Sequence, residues 1–543
     1  MTITESPPDA PSASAGGRPP GTESLAATAD HKYLGLLFLG GAFLFLIAAG
    51  VVGMVLRAEL VSEGVSVVDG KYGRLFSLHA TVGALLFLPA AWIGLATYVV
   101  PLQLGAGRLA LARLHAFATW VYLTGGLLLV AAYILGPPQG LGIVSATPVA
   151  APKGGATHAD ALAIVAMAMV SVAMVLASID LAVTVLKMRT EGLTLRRVPM
   201  FSWAMLVSSL VTIFATPVFV GGLVLFYLDQ RLGGTFFRVD NTAGHTVWLH
   251  TVWLYGRPEI YLLLLPGLGA ACDIVATHAR RPLLNRSAVR TSVAAFGVLA
   301  FGSWAASAKM AGALVLPTFN LVTSLVLIPL GVVVLVCLAT AVLGHVRLHP
   351  SVLFVIGGVG LLAVGALHAL IAAVAGVHGG AWTTGHLHTV AFGAPTLLLL
   401  GGLYHWAPKL FGRELSAGIG RLAFLGTFGG FFLMGLGSYL LGYDGAPAHV
   451  RDFDFSSSTG TYSLLAALGA VVVLVGVLAM VADMLTAVVG RGTASGPDDP
   501  YEGLTLEWAT SSPPPAAGFD AVPEVRSPHP LLDLRAPKEA SRG

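Results

Sequence analysis

The chain has 543 residues, of which 56% are hydrophobic and only 10% charged, with a mean hydropathy of +0.81. Soluble domains carry about 25% charged residues, so this composition excludes an ordinary soluble protein and describes a polytopic one whose main solvent is the bilayer. The formal net charge of +3 reports topology before partners, no feature points to nucleic acid, and the two cysteines, Cys272 and Cys337, imply neither a disulfide framework nor a thiolate metal site.

Residues 1–30 are rich in Pro, Ala, Ser and Gly and read as a disordered tail, without the basic-then-apolar layout of a cleavable signal. Apolar runs then fall at about 33–57, 75–100, 112–136, 160–187, 201–228, 247–277, 289–315, 318–345, 351–375, 382–407, 421–443 and 460–488. Each is near or above the roughly 20 residues that span a bilayer. From 491 to 543 the chain is polar and proline-rich again, with Ser511-Ser512-Pro513-Pro514-Pro515 as its plainest piece, and reads as a second disordered tail. The expected architecture is all-α: an integral membrane bundle of twelve transmembrane helices over 31–490, flanked by two solvated extensions. No strong internal repeat suggests an inverted-repeat transporter. The loops after the even-numbered spans hold fourteen Lys and Arg against seven in the opposite loops. The positive-inside rule therefore predicts both termini in the cytoplasm.

Histidines carry the chemistry. The second span opens outside, with His79 about 6 Å into it, and the tenth places His386 and His388 roughly 8–11 Å in. His79 and His388 thus share a level, as two axial ligands of one haem require, and neutral imidazole is a normal iron ligand. The same depths also suit unrelated polar residues near helix ends. His386 and His388 point roughly 200° apart on one helix, so that helix can serve two neighbours. The sixth span carries His250 and then Tyr255-Gly256-Arg257-Pro258-Glu259-Ile260-Tyr261. Arg257 and Glu259 lie about 15 Å or more below the outer surface, where ionisable groups are costly and functional by default. Tyr261 is one turn beyond Arg257 on the same face. An Arg257–Glu259 pair that merely ties helices together is the plainer alternative.

With these residues in view, about 31–490 resembles subunit I of the haem–copper oxidase superfamily, the cytochrome c oxidase and nitric oxide reductase group. Arg57-Ala-Glu59-Leu closes the first span, Leu78-His79-Ala80 resembles the first low-spin haem ligand motif, and Tyr255 to Tyr261 matches Gly-His-Pro-Glu-Val-Tyr. His378 stands eight residues before His386, and His405-Trp406-Ala-Pro408 and Leu441 to Pro447 fit the later spans. The resemblance implies two haems: His79 and His388 on a low-spin iron, His386 on a high-spin iron, and Arg451 near the propionates. It also implies other oxidase-type subunits, an electron donor such as a cytochrome c or a cupredoxin domain, and a bacterial plasma membrane.

The departures from the family are as specific. Of its three copper-ligand histidines, one matches Arg257 and two fall within Trp304-Ala305-Ala306-Ser307-Ala308-Lys309. Guanidinium has no lone pair to give and repels a cation, so no copper is expected. Tyr261 has no histidine four residues before it to crosslink with. The inner carboxylate and asparagines are missing from the 100–113 stretch. The eighth-span lysine falls at about Val333, and Gly379 replaces the aspartate of the magnesium site. The expectation is an oxidoreductase of terminal-oxidase or nitric oxide reductase type with a non-standard site, in which Arg257, Glu259 and Tyr261 act on O2, NO or a related haem ligand. Two alternatives stand beside it: a haem-retaining scaffold or electron-relay subunit without catalysis, and a haem-free transporter.

Overall fold

The computed structural model describes residues 28–62, 67–68, 71–136, 158–237, 242–303, 324–376, 379–448, 455–490 and 497–535. Ten of its helices are long and apolar enough to cross a membrane: α1 (His31–Glu59), α2 (Tyr72–Gln103), α3 (Ala112–Leu135), α4 (His158–Lys187), α5 (Met200–Leu232), α6 (Thr242–His278), α9 (Pro350–Ala375), α10 (Gly380–Phe411), α11 (Ala417–Tyr443) and α12 (Ser457–Val488). The shorter α7 (Arg286–Gly302) and α8 (Leu327–Val342) occupy the places of the seventh and eighth spans. The all-helical membrane fold expected from the sequence is the fold observed. Helices are the outcome because lipid offers no partner to a free N–H or C=O, and an α-helix satisfies nearly all of them internally.

Burial ranks the helices. The most apolar window is 94% buried in α2, 83% in α6 and 78% in α10, against 28–56% in the other candidate spans. These three form the centre, and the rest face outward. Trp92 on α2 donates to Leu263 O on α6 at 2.9 Å. Phe201 on α5 packs between Trp92 and Trp406 of α10, with centroids 6.2 and 4.9 Å away. Around the rim, α11 and α12 pack closely through Gly426, Gly430 and Gly437 on one side and Gly469 and Gly476 on the other, where an added Cβ would meet backbone atoms. Cys272 of α6 and Cys337 of α8 are unbonded, with sulfurs 3.4 Å apart.

Helix ends are satisfied by named groups. Ser456 and Thr459 form a reciprocal capping box at the start of α12. The first N–H groups of α5 donate across the bundle to the Asp273 carboxylate, from Met200 at 3.1 Å and Phe201 at 2.9 Å. An anion at a helix N-terminus is favoured by the helix dipole as well as by hydrogen bonding.

One expectation is corrected. The segment 497–535, read from composition as part of a solvated tail, packs across one end of the bundle. Leu504, Leu506, Trp508, Phe519, Val525 and Leu531 are buried in it. Lys409, fully buried near the end of α10, donates to three of its carbonyls: Asp498 at 3.0 Å, Thr510 at 2.6 Å and Ser511 at 3.4 Å. Proline and serine dominate the composition, but apolar side chains spaced between them find a floor of helix ends, and a buried ammonium organises the backbone around itself. Lys32, at the start of α1, donates to Ala516 O at 3.2 Å, so the beginning of α1 and this segment share the end that carries the even-numbered, basic loops.

Candidate functional site

Two of the three central helices depart from α geometry where the histidines lie. A π-helical stretch, Val82–Phe87, follows His79 in α2, and another, Leu387–Gly393, contains His388 in α10. Such wide turns gather at functional sites because they re-aim side chains that a regular helix would stagger. Here they bring His79 and His388 together, with ring centroids 6.2 Å apart and planes 18° from parallel. Metal–imidazole bonds of about 2.0 Å, with each ligating nitrogen about 1.2 Å from its ring centre, put two axial imidazoles about 6.4 Å apart. The observed pair matches that distance.

Both rings are held through Nδ1. His79 Nδ1 lies 2.8 Å from Ala49 O, and His388 Nδ1 lies 2.8 Å from Thr384 O. A carbonyl can only accept, so Nδ1 carries the proton on each ring and Nε2 keeps its lone pair. Gly53 on α1 makes room for the first ring: an added Cβ would lie 2.7 Å from His79 Cε1.

The pair borders a largely apolar cavity of about 280 Å³ between α1, α2, α6, α10, α11 and α12. Gly256, Ile260 and Leu263 of α6 line it, as do Phe392 and Phe431, and Arg57 brings a guanidinium into the wall. Glu59, two residues on, is buried and accepts from Val67 N at 2.5 Å and Val68 N at 3.1 Å, which ties these two residues to the end of α1. A flat, apolar group with a central metal and a peripheral anionic or polar substituent fits these walls, and haem is such a group.

His386 is absent from this lining. It ends the regular part of α10 and lies against α9, where an added Cβ on Gly365 would be 3.8 Å from its Cε1. One helix therefore turns His388 to one neighbour and His386 to another, as the sequence spacing predicts. Tyr261 is half-buried and meets Phe296 of α7 edge to face at 5.8 Å. Tyr261 thus turns away from the His79–His388 cavity. The side chains of Arg257, Glu259 and His250, and residues 304–323, His378 and Arg451, lie outside the described residues. Among the described residues, no three or more His, Cys, Asp or Glu are grouped to hold a metal ion.

Sequence reasoning missed the far end of the bundle. There Gln103 of α2 donates to Asp273 of α6 at 3.3 Å and to Glu507 of the 497–535 segment at 3.0 Å, and accepts from Ser202 Oγ at 2.6 Å. His278, His349, His405 and Tyr501 stack beside it, with centroids 4.9–5.6 Å apart. Burial pushes the Glu507 carboxyl up to about 7 and the His349 imidazole down to about 4. Asp273, an acid inside an apolar span, was the available signal.

Comparison with known proteins places the chain in a family. The family described as Cytochrome C and Quinol oxidase polypeptide I matches residues 33–472. The cytochrome c oxidase subunit 1 of Thermostichus vulcanus is 31% identical over 504 residues, covering 91% of this chain and 90% of that one. The cytochrome c oxidase subunit 1 of Corynebacterium diphtheriae is 28% identical over 530 residues, covering 95% and 93%. A haem–copper terminal oxidase dimer solved by electron cryo-microscopy shares the fold, with a TM-score of 0.66 over 86% of this chain and 85% of that one at 15% identity. The chain therefore belongs to the cytochrome c and quinol oxidase polypeptide I family.

Proposed function

We propose that this chain is a membrane haem protein of the oxidase type. His79 and His388 hold one haem from both faces, His386 holds a second from one face, and the copper position is lost. The supporting observation is the His79–His388 pair, set 6.2 Å apart with both Nδ1 atoms committed to carbonyls. When bound, the first group supplies one-electron transfer and the second an open coordination position for O2, NO or a related ligand.

The protein's part is placement and charge. A haem held by both His79 and His388 would be confined to electron transfer. The Arg57 guanidinium in the cavity wall favours added negative charge there, which eases reduction. A haem held by His386 alone would supply ligand binding, and Arg257 and Tyr261 are the proposed residues that meet the ligand. A fixed cation beside a bound ligand stabilises negative charge developing on it. Arg257, where the family has a copper ligand, is why no copper is proposed.

Other oxidase-type subunits and an electron donor such as a cytochrome c or cupredoxin domain are the proposed partners. A bacterial plasma membrane with both termini cytoplasmic is the proposed setting, favoured by the basic end described above. The spectrum of dithionite-reduced protein with and without carbon monoxide tests the reading. A carbon monoxide shift on half of the haem supports it, and no shift at all refutes the open position.

A further inference from the structure

Thr389 lies inside the π-helical stretch of α10, one residue beyond His388, and Tyr439 of α11 faces it. Both are buried, and their hydroxyl oxygens are 2.8 Å apart. Thr389 Oγ1 donates back along its own helix, to Gly385 O at 2.9 Å and His386 O at 3.3 Å. Its single hydrogen is thereby used, so Tyr439 donates to the Thr389 oxygen.

A regular helix returns each N–H to the carbonyl four residues back. Here Ala394 N reaches back five, to Thr389 O. Such a wide turn holds one residue more than a regular one. That residue corresponds to about 100° of rotation between the parts of the helix before and after it. A hydroxyl that bonds the preceding turn is a known cause of local bending, and here it bonds the two carbonyls where the regular part of α10 ends.

The neighbours are shaped for this turn. Gly435 of α11 leaves room for the Thr389 methyl, because an added Cβ would collide with Thr389 Cγ2. At the end of the turn, an added Cβ on Gly393 would lie 2.6 Å from His388 O. The Tyr439 ring is gripped from two further sides. It stacks on His368 of α9, with centroids 3.7 Å apart and planes 4° from parallel, and meets Trp382 of α10 edge to face at 4.9 Å. One pair of hydroxyls therefore ties the wide turn to α11 and, through the ring, to α9.

We propose that Thr389 and Tyr439 are positioning residues, whose hydroxyl pair holds the wide turn so that His388 meets His79 while His386 stays against α9. Neither lines the cavity that His79 and His388 border, so both act through the imidazoles. The inference rests on the haem reading above.

The test uses the purified full-length protein. Electron paramagnetic resonance of the oxidised protein reads the low-spin signal, whose largest g value depends on the angle between the two axial imidazole planes. The carbon monoxide band of the reduced protein reads the His386 haem. T389V keeps the side-chain shape and removes the hydroxyl; Y439F keeps the ring and removes the donor. Each should shift the largest g value or abolish the low-spin signal while the carbon monoxide band persists, and T389S should keep the wild-type value. Y439F alone decides the question if T389V does not fold. An unchanged low-spin signal overturns the positioning role and leaves the haem reading standing, and so does joint loss of both signals, the mark of a general structural defect. Wild-type protein without a low-spin signal overturns both.

Discussion

Glu507→Gln isolates one carboxyl at the bundle floor. Glu507 is fully buried; its Oε1 accepts from Gln103 at 3.0 Å and Trp406 Nε1 at 3.2 Å, and its Oε2 has no partner. Burial raises this acid from 4.5 to about 7. When the 497–535 segment is docked the carboxyl keeps its proton; when the segment is free the carboxyl loses it above pH 4.5. Docking is therefore unpenalised below pH 4.5, weakens as pH rises from 4.5 to about 7, and stays level above that. The interval corresponds to roughly 3 kcal/mol, about two powers of ten in the docking equilibrium. His529 and His349, both lowered from 6.5 to about 4 chiefly by burial, act oppositely: their contribution is complete above pH 6.5 and lost as pH falls toward 4. They are present in both proteins and cancel in the comparison. Gln keeps an acceptor for Gln103 and Trp406 and cannot ionise. Hydrogen exchange over 497–535, corrected for intrinsic rates, should show the variant gaining protection relative to wild type between pH 4.5 and 7, with the gain levelling off above. Parallel curves for the two proteins across that range would refute the reasoning.

Other consequences follow from single contacts. Gly53→Val adds a side chain at a position whose Cβ already falls 2.7 Å from His79 Cε1; it should displace the ring and remove the low-spin haem band while the bundle stays folded by circular dichroism. His79→Ala or His388→Ala should abolish that band, and His386→Ala should spare it and remove the carbon monoxide-sensitive one. An unchanged spectrum in any of these would reassign the ligands. Lys409→Met withdraws the ammonium from three carbonyls, at a cost of about 3 kcal/mol, and should speed proteolytic removal of the C-terminal segment at least tenfold.

The spans were legible because lipid imposes one simple rule on every residue, and runs such as Leu397–Leu400 obey it. His79 and His388 were legible as a pair because depth follows from a fixed rise per residue, although the π-helical turns that set their aim left no local mark. The docked segment was not legible: its Pro and Ser content outweighs a few apolar residues whose partners lie hundreds of positions away, as Lys409 and Thr510 lie 101 apart. Gln103 shows the same limit, since an amide at a helix end says nothing until Asp273 and Glu507 stand beside it.

The central claim is that three imidazoles hold two irons and that a guanidinium has replaced the copper site. Metal analysis of purified, colour-bearing protein by mass spectrometry addresses it most directly. Two irons and no copper per chain is the predicted ratio; one copper per chain, or protein without iron, contradicts it.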